Sequence, residues 1–290
     1  MINLFGFLKK EIIPNPPYDY SFLINLNEKE YPKYLKKLYK FFMGEELNLK
    51  NPKTFNEKIQ WIKLYGVTDL IRECTDKVAV RDYVREKIGE EYLKPVLRII
   101  PSNSYENNDV STYFDKIDFN SLPNSFVIKC NHGCKWHFII KNKEDFLSNP
   151  QLFRQVKQQI TGWLEQEWFP FGGFELNYRG IEPKIIIEPL LRENIKKKSK
   201  EINVYCFNGK SKIIVELIFS DKNYIAVYDE KFKTLNDIFN SFETSVEKEA
   251  DEQIKLAADL SQKLSEKFDF VRVDWLIYKD KLYFLELTFT

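Results

Sequence analysis

The stretch that most constrains the fold is Phe270 to Thr290, which reads FVRVDWLIYKDKLYFLELTFT. Two apolar-rich runs flank the polar tripeptide Lys279-Asp280-Lys281, the pattern of a β-hairpin. Side chains alternate faces along a strand. Val271, Val273, Trp275 and Ile277 therefore share one face, as do Tyr283, Leu285, Leu287 and Phe289. Arg272, Asp274, Glu286 and Thr288 take the other. A three-residue loop pairs Tyr278 with Leu282. The same register sets Asp274 opposite Glu286 and Arg272 opposite Thr288. Like charges directly opposed in a sheet are destabilising.

Two carboxylates placed together on one face ask for a cation between them. Hard cations such as Mg²⁺ take oxygen ligands, often one or two carboxylates plus substrate phosphates. The other reading is a solvated outer face on an ordinary hairpin.

Composition narrows the classes. A chain of 290 residues suits one large domain or two intimate ones. Its net charge of +1 does not point to nucleic acid. With 24 Phe and 16 Tyr it can build a sizeable core. No run reaches the roughly 18–20 apolar residues of a membrane span. The start, MINLFGFLKKEIIP, lacks a small-residue cleavage site and does not read as a signal peptide. Cysteines at 74, 130, 134 and 206 form no secreted disulfide framework, so a cytoplasmic protein with reduced thiols is expected.

Residues 1–70 read as a helical region. Tyr31–Met43 has helical spacing, and Thr54 with Glu57 forms a capping-box pattern. Its basic, aromatic start leaves two readings open, contact with a membrane surface or polymer and helices packed on the main domain. A helix is expected to begin at Thr75 and end at Gly89. Tyr92–Ile100 reads as a strand and Ser102–Asp118 as a polar loop.

Phe126–Lys141 reads as a second hairpin, connected by Asn131-His132-Gly133-Cys134-Lys135. A glycine loop with free backbone N–H groups beside lysines can hold phosphate oxygens. Cys130, His132, Cys134 and His137 offer a competing zinc set, although period-two alternation does not easily bring all four to a tetrahedron. Leu152–Trp168 reads as an amphipathic helix. Phe169–Gly180 suits a loop at a substrate cleft or a surface turn. Ile185–Leu191 reads as a buried strand whose Glu188 needs a partner. Arg192–Lys200 reads as a charged loop. Strands are expected at Val204–Cys206 and Lys212–Phe219 around Asn208-Gly209, and at Tyr224–Tyr228. Glu247–Phe268 reads as an amphipathic helix.

Taken together, LNLKNPKTFNEKIQWIKLYG, TDKVAVRDYV, FVIKCNHG, YCFNGK and FVRVDWLI with YFLELTFT resemble the ATP-grasp superfamily. Within it they resemble its teichuronopeptide-biosynthesis branch, found in bacterial polysaccharide gene clusters. The likeness runs from about Leu47 to Thr290. It implies an α+β ATP-grasp fold, two α+β subdomains clasping Mg²⁺-ATP after a helical N-terminal region. Residues 71–184 would carry the phosphate-loop hairpin and residues 185–290 the metal-binding hairpin.

The resemblance also implies roles. Lys77 and Lys129 match lysines that contact ATP phosphates. His132, Gly133 and Lys135 lie in the matching phosphate-covering loop. Glu188 matches the hinge glutamate near the adenine, with backbone groups from Ile187 to Leu191, Leu190 among them, reading the base. Glu193 or Glu201 would hold the ribose. Asp274 and Glu286 match the Mg²⁺ ligands, and Arg272 an arginine that stabilises the developing acyl-phosphate.

Two positions depart from the pattern. Glu201-Ile202-Asn203 replaces the usual Asp-Tyr-Lys, and Thr288 replaces a metal-binding Asn. Relatives also continue past Thr290 into a Pro-Gly-rich loop. The implied reaction joins a carboxylate, such as a uronic acid of a cell-surface polysaccharide, to an amine. A glycosyltransferase of the same pathways and a catalytically reduced nucleotide- or glycan-binding protein are the alternatives.

Overall fold

The computed structural model describes residues 19–100, 109–191, 199–219, 224–235 and 249–290. The chain opens with helices α1 (Tyr20–Ile24), α2 (Tyr31–Met43), α3 (Phe55–Tyr65), α4 (Asp69–Thr75) and α5 (Val80–Ile88). Asp19 caps α1. Gly44, at φ 73°, ends α2 in the left-handed conformation that favours glycine. The capping box of Thr54 and Glu57 starts α3.

The single helix expected from Thr75 to Gly89 does not form. Thr75 ends α4, and Asp76 is extended. The Asp76 carboxylate accepts from its own chain at Val78 N (2.7 Å). Such local bonding competes with a continuous helix. Lys77 therefore sits in a break between helices and not at a helix head.

Four strands form the smaller sheet, β1 (Arg98–Ile100), β2 (Phe126–Cys130), β3 (His137–Ile140) and β4 (Ile185–Pro189), in the order β1-β4-β2-β3. The strand expected from Tyr92 shrinks to β1. Pro95 has no N–H to give a ladder, and Leu93 makes an isolated parallel bridge to Phe284 instead. Between β3 and β4 lie α6 (Lys143–Leu147) and α7 (Pro150–Leu164). Asn149 caps α7, with Pro150 in its first turn. The buried side of α7, Val156, Ile160 and Leu164, packs with Phe126, Ile128 and Ile187.

The larger sheet contains β5 (Ser199–Phe207), β6 (Lys210–Phe219), β7 (Tyr224–Asp229), β8 (Phe270–Tyr278) and β9 (Lys281–Thr288), in the order β7-β6-β5-β8-β9. Helix α8 (Glu252–Ser265) covers one of its faces. Ile254, Ala257 and Leu264 meet Ile202, Val204, Val273 and Trp275 there, and α4 and α5 join the same core. Trp275 is fully buried, and its indole N–H reaches Ser261 Oγ at 2.9 Å. A third core ties α2 to the segment after α7 through Tyr31, Leu35, Phe169 and Phe174. Phe169 and Phe174 thus belong to packing, while Tyr178 of the same loop lies beside Lys77.

The terminal hairpin differs from its expected form in two compensating ways. Its turn has two residues, Lys279 (φ 50°) and Asp280 (φ 59°), so Tyr278 pairs with Lys281 and Ile277 with Leu282. Two left-handed residues match the twist of a tight hairpin. The register then shifts between Asp274 and Trp275, leaving Leu285 as the extra residue of a bulge. Beyond the bulge Asp274 faces Glu286 and Arg272 faces Thr288. The bulge also swaps faces. Leu282 and Phe284, and not Tyr283 and Leu285, join Leu287 and Phe289 in the core.

Candidate active site

The face of the larger sheet turned away from α8 is acidic. Residues paired directly across neighbouring strands share a face. Asn203, Asp274 and Glu286 form one such row across β5, β8 and β9, and Tyr205, Arg272 and Thr288 form the next. Arg272 donates from Nε to Asp274 Oδ1 and from Nη2 to Asp274 Oδ2, both at 2.6 Å, and from Nη2 to Thr288 Oγ1 at 3.2 Å. Thr288 Oγ1 donates to Glu286 Oε1 at 3.3 Å. Glu201 on β5 lies within electrostatic reach of both carboxylates.

This crowding is written in the titration of the carboxyls. Burial pushes Asp274 up to about 6, Arg272 offsets part of that, and Glu286 adds to it. Burial, then Asp274 and Glu286, push Glu201 up to about 7. Burial also works against the charge on Glu286, but Lys77, Arg272 and Lys129 outweigh it and hold the carboxyl below the usual range.

The facing sheet is basic. Lys129 on β2 and Glu188 on β4 share its cleft face, since Val127 pairs with Glu188 and Lys129 with Ile186. Ile99 and Ile139 share that face by register and are exposed. The partner required by Glu188 is double. Lys129 Nζ lies 2.7 Å from Oε1 and Lys94 Nζ 2.8 Å from Oε2. Burial opposes the Glu188 charge, but the two ammoniums prevail and hold it at about 2. Burial and the neighbouring Lys94 push Lys129 down to about 7.

Lys77 joins the two faces. Its Nζ donates to Gly133 O at 2.8 Å, lies 3.9 Å from Glu286 Oε2, and sits 5.9 Å from the centre of the Tyr178 ring. The loop it touches is braced from below. Asn131 is fully buried and donates to Asp76 Oδ1 (2.9 Å) and Glu182 O (3.0 Å), while its Oδ1 accepts from Lys184 N (2.6 Å). The His132 ring lies 3.1 Å from both Asn131 Oδ1 and Trp163 O, and burial pushes it down to about 4. His132 is thus turned into the protein rather than into the cleft. Gly133 is fixed by space, because a Cβ there would lie 2.2 Å from the Trp136 ring. Lys135 is exposed in the left-handed region, at φ 59°.

Seven of the expected side chains meet in this cleft: Lys77, Lys129, Glu188, Glu201, Arg272, Asp274 and Glu286. Leu190 lies just past β4, and Glu193 lies outside the described residues. Among the described residues no group of three or more His, Cys, Asp or Glu side chains could hold a metal ion. Of the four residues weighed for zinc, Cys130 is buried in the core of the smaller sheet. Burial raises the Cys130 thiol to about 12 and the Cys134 thiol to about 11. Sequence reasoning missed Lys94, Asp76 and Tyr178. Only the lysine inside the apolar run YLKPVLRII pointed to Lys94.

A bound Mg²⁺ fits the donor chemistry, as Asp274 and Glu286 offer hard oxygen ligands and crowd one another without it.

No curated protein matches the chain. D-alanine–D-alanine ligase from Bacillus anthracis, solved with ATP, is 15% identical, with a TM-score of 0.35 over 74% of this chain and 53% of its own. N5-carboxyaminoimidazole synthase from Aspergillus clavatus is 12% identical, with a TM-score of 0.38 over 75% and 44%. Phosphoribosylamine–glycine ligase from Thermotoga maritima is 13% identical, with a TM-score of 0.40 over 77% and 49%. The chain spans about half the length of these distant structures. A family model described as TupA-like ATPgrasp matches residues 57–290, and the chain belongs to that family, with its α+β ATP-grasp fold.

Proposed function

We propose that the protein is an ATP-dependent carboxylate–amine ligase. One observation carries this reading. Lys129 of the smaller sheet faces the carboxylates of the larger one across a cleft, and Lys77, between α4 and α5, lies 3.9 Å from Glu286. Lys77 and Lys129 would hold ATP phosphates, and the Asn131–Lys135 loop would cover them. Exposed Ile99 and Ile139 offer an apolar seat for a base beside Glu188, whose neighbours up to Leu190 would read it. Glu201 would hold the ribose.

Asp274 and Glu286 would hold Mg²⁺, which when bound supplies charge neutralisation to the phosphates. Arg272 sits beside them and would stabilise charge as the substrate carboxylate becomes an acyl-phosphate. An amine then attacks the acyl carbon, forming the amide and releasing phosphate. No protein nucleophile takes part.

The sequence resemblance to the teichuronopeptide-biosynthesis branch carries a finer reading, in which the carboxylate belongs to a uronic acid of a cell-surface polysaccharide and the amine to an amino acid, joined in the cytoplasm. The neutral side chains of Asn203 and Thr288, and the grip of Arg272 on Asp274, favour one second reading, nucleotide binding without turnover. Calorimetry with Mg²⁺-ATP, UDP-glucose and UDP-glucuronate tests the nucleotide, and tighter binding of a UDP-sugar than of ATP refutes both readings. Mass spectrometry of ATP reactions with panels of uronic acids and amino acids separates them. A product of condensation establishes the ligase, and binding without product establishes the second reading.

A further inference from the structure

Lys94 has no part in the roles above, yet its ammonium sits at the centre of the basic face. Lys94, Lys129 and Glu188 expose only 14%, 13% and 7% of their side chains. Two nearly buried ammoniums share one carboxylate, and the next anions they meet, Glu201 and Glu286, lie on the facing sheet. Burying a charge is costly unless something complements it.

A purely structural duty does not explain the arrangement. The segment carrying Lys94 is already fastened by its backbone to both sheets. Leu93 bridges Phe284 of β9, Leu97 N donates to Ile187 O of β4 at 2.8 Å, and Arg81 Nη2 donates to Lys94 O at 3.0 Å. The Lys94 side chain is therefore not needed to hold the strap in place. It is free to serve the cleft, where its charge is felt by Glu201 on the opposite sheet and by His137 on β3.

We propose that Lys94 is a further nucleotide-phosphate ligand, paired with Lys129, and that Glu188 is the internal counter-anion that keeps both ammoniums aimed into the cleft. A polyphosphate offers several oxygens at once and gives both ammoniums a partner beyond the one carboxylate they share. Burial first, and then the neighbouring Lys94, lower the titration of Lys129. This inference rests on the ATP reading given under Proposed function and adds to it a residue that a two-lysine phosphate site leaves out.

The test is calorimetry of the full chain with Mg²⁺-ATP and with sodium tripolyphosphate, and ligand-observed NMR with adenosine. Lys94→Met should weaken ATP and tripolyphosphate binding about tenfold or more, the usual scale for a charge-assisted hydrogen bond. Adenosine binding should not change. The salt dependence of ATP binding should become shallower. Lys94→Arg keeps the charge and should restore most of the affinity. Melting curves identify variants that have not folded. A folded Lys94→Met that binds ATP like wild type overturns this proposal alone. Equal loss of ATP and adenosine also overturns it, by showing that Lys94 shapes the base seat. Wild-type protein that binds neither ATP nor tripolyphosphate overturns the nucleotide reading itself.

Discussion

Arg272 grips Asp274 through two parallel hydrogen bonds of 2.6 Å, a fork that no pairing diagram of the hairpin contains. The register alone sets Asp274 against Glu286 and implies that neutralising either one relieves repulsion. The fork reverses that expectation for Asp274 and keeps it for Glu286. Asp274 is 7% exposed, and its loss leaves the Arg272 charge with Thr288 Oγ1 at 3.2 Å and the Tyr205 ring at 6.0 Å. Asp274→Asn should destabilise the nucleotide-free fold by about 1–3 kcal/mol, the range for a broken buried pair that keeps some solvent contact. The Glu286 side chain is 35% exposed, with Lys77 at 3.9 Å. Glu286→Gln should stay within about 1 kcal/mol of wild type. Both should abolish ATP turnover, because both remove an oxygen ligand from the cation. Thermal melts without nucleotide decide the matter, and equal melting temperatures for the two variants would refute the assignment of the fork.

Glu201 makes stability depend on pH. Its carboxyl is raised to about 7, first by burial and then by Asp274 and Glu286. A carboxyl raised on folding favours the protonated native state, so its contribution is fully present below about 4.3 and fades as pH rises through about 7. That contribution amounts to about 4 kcal/mol at most. Denaturant unfolding in EDTA should show the nucleotide-free protein losing stability between pH 5 and 7.5. Glu201→Gln should flatten that fall. An unchanged slope in the variant would rule Glu201 out as its source.

Much of this was legible because periodicity survives local error. The β8–β9 hairpin, the capping box at Thr54 and the Asn208-Gly209 turn all follow from short-range patterns. The opposition of Asp274 and Glu286 was read correctly although the turn was read one residue too long. The bulge at Leu285 adds back the residue that the tighter turn removes. That cancellation was not visible, because a bulge is chosen by packing, here by Phe284 and Leu287 entering the same core. The helix expected through Lys77 failed because the Asp76 carboxylate prefers its own backbone and Asn131. Asn131 is distant in sequence, so no local pattern announced it. Lys94 was hidden for the same reason, as its partner Glu188 lies 94 residues away.

Gly133 offers a test of the loop. A methyl group there would lie within 2.2–2.9 Å of Trp136 ring atoms. The indole has nowhere easy to go, because it stacks on Trp163 with centroids 6.0 Å apart and meets Trp168 edge-on at 5.5 Å. Gly133→Ala should cost about 1–3 kcal/mol, as overpacking does. It should also move the Gly133 carbonyl away from Lys77 and alter tryptophan emission. A variant with native melting and native emission would show that the loop adjusts freely, and would remove Gly133 from the phosphate-loop reading.

The last prediction separates the two lysines of the β2–β3 hairpin. Lys129 is held on a strand, 13% exposed, with its ammonium 2.7 Å from Glu188. Lys135 is exposed on the connecting loop. A placed ammonium loses little freedom when it meets a phosphate, whereas an exposed lysine gives up side-chain entropy worth up to about 2 kcal/mol. Lys129→Ala should therefore weaken Mg²⁺-ATP binding about tenfold or more, and Lys135→Ala by a few-fold at most. The comparison is internally controlled. Lys129→Ala leaves Glu188 with Lys94 at 2.8 Å, so the buried carboxylate keeps one partner and the sheet should stay folded. Titrations of the two variants at one ionic strength give the answer. Equal losses would mean that phosphate is held by the loop, and that Lys129 serves only to neutralise Glu188.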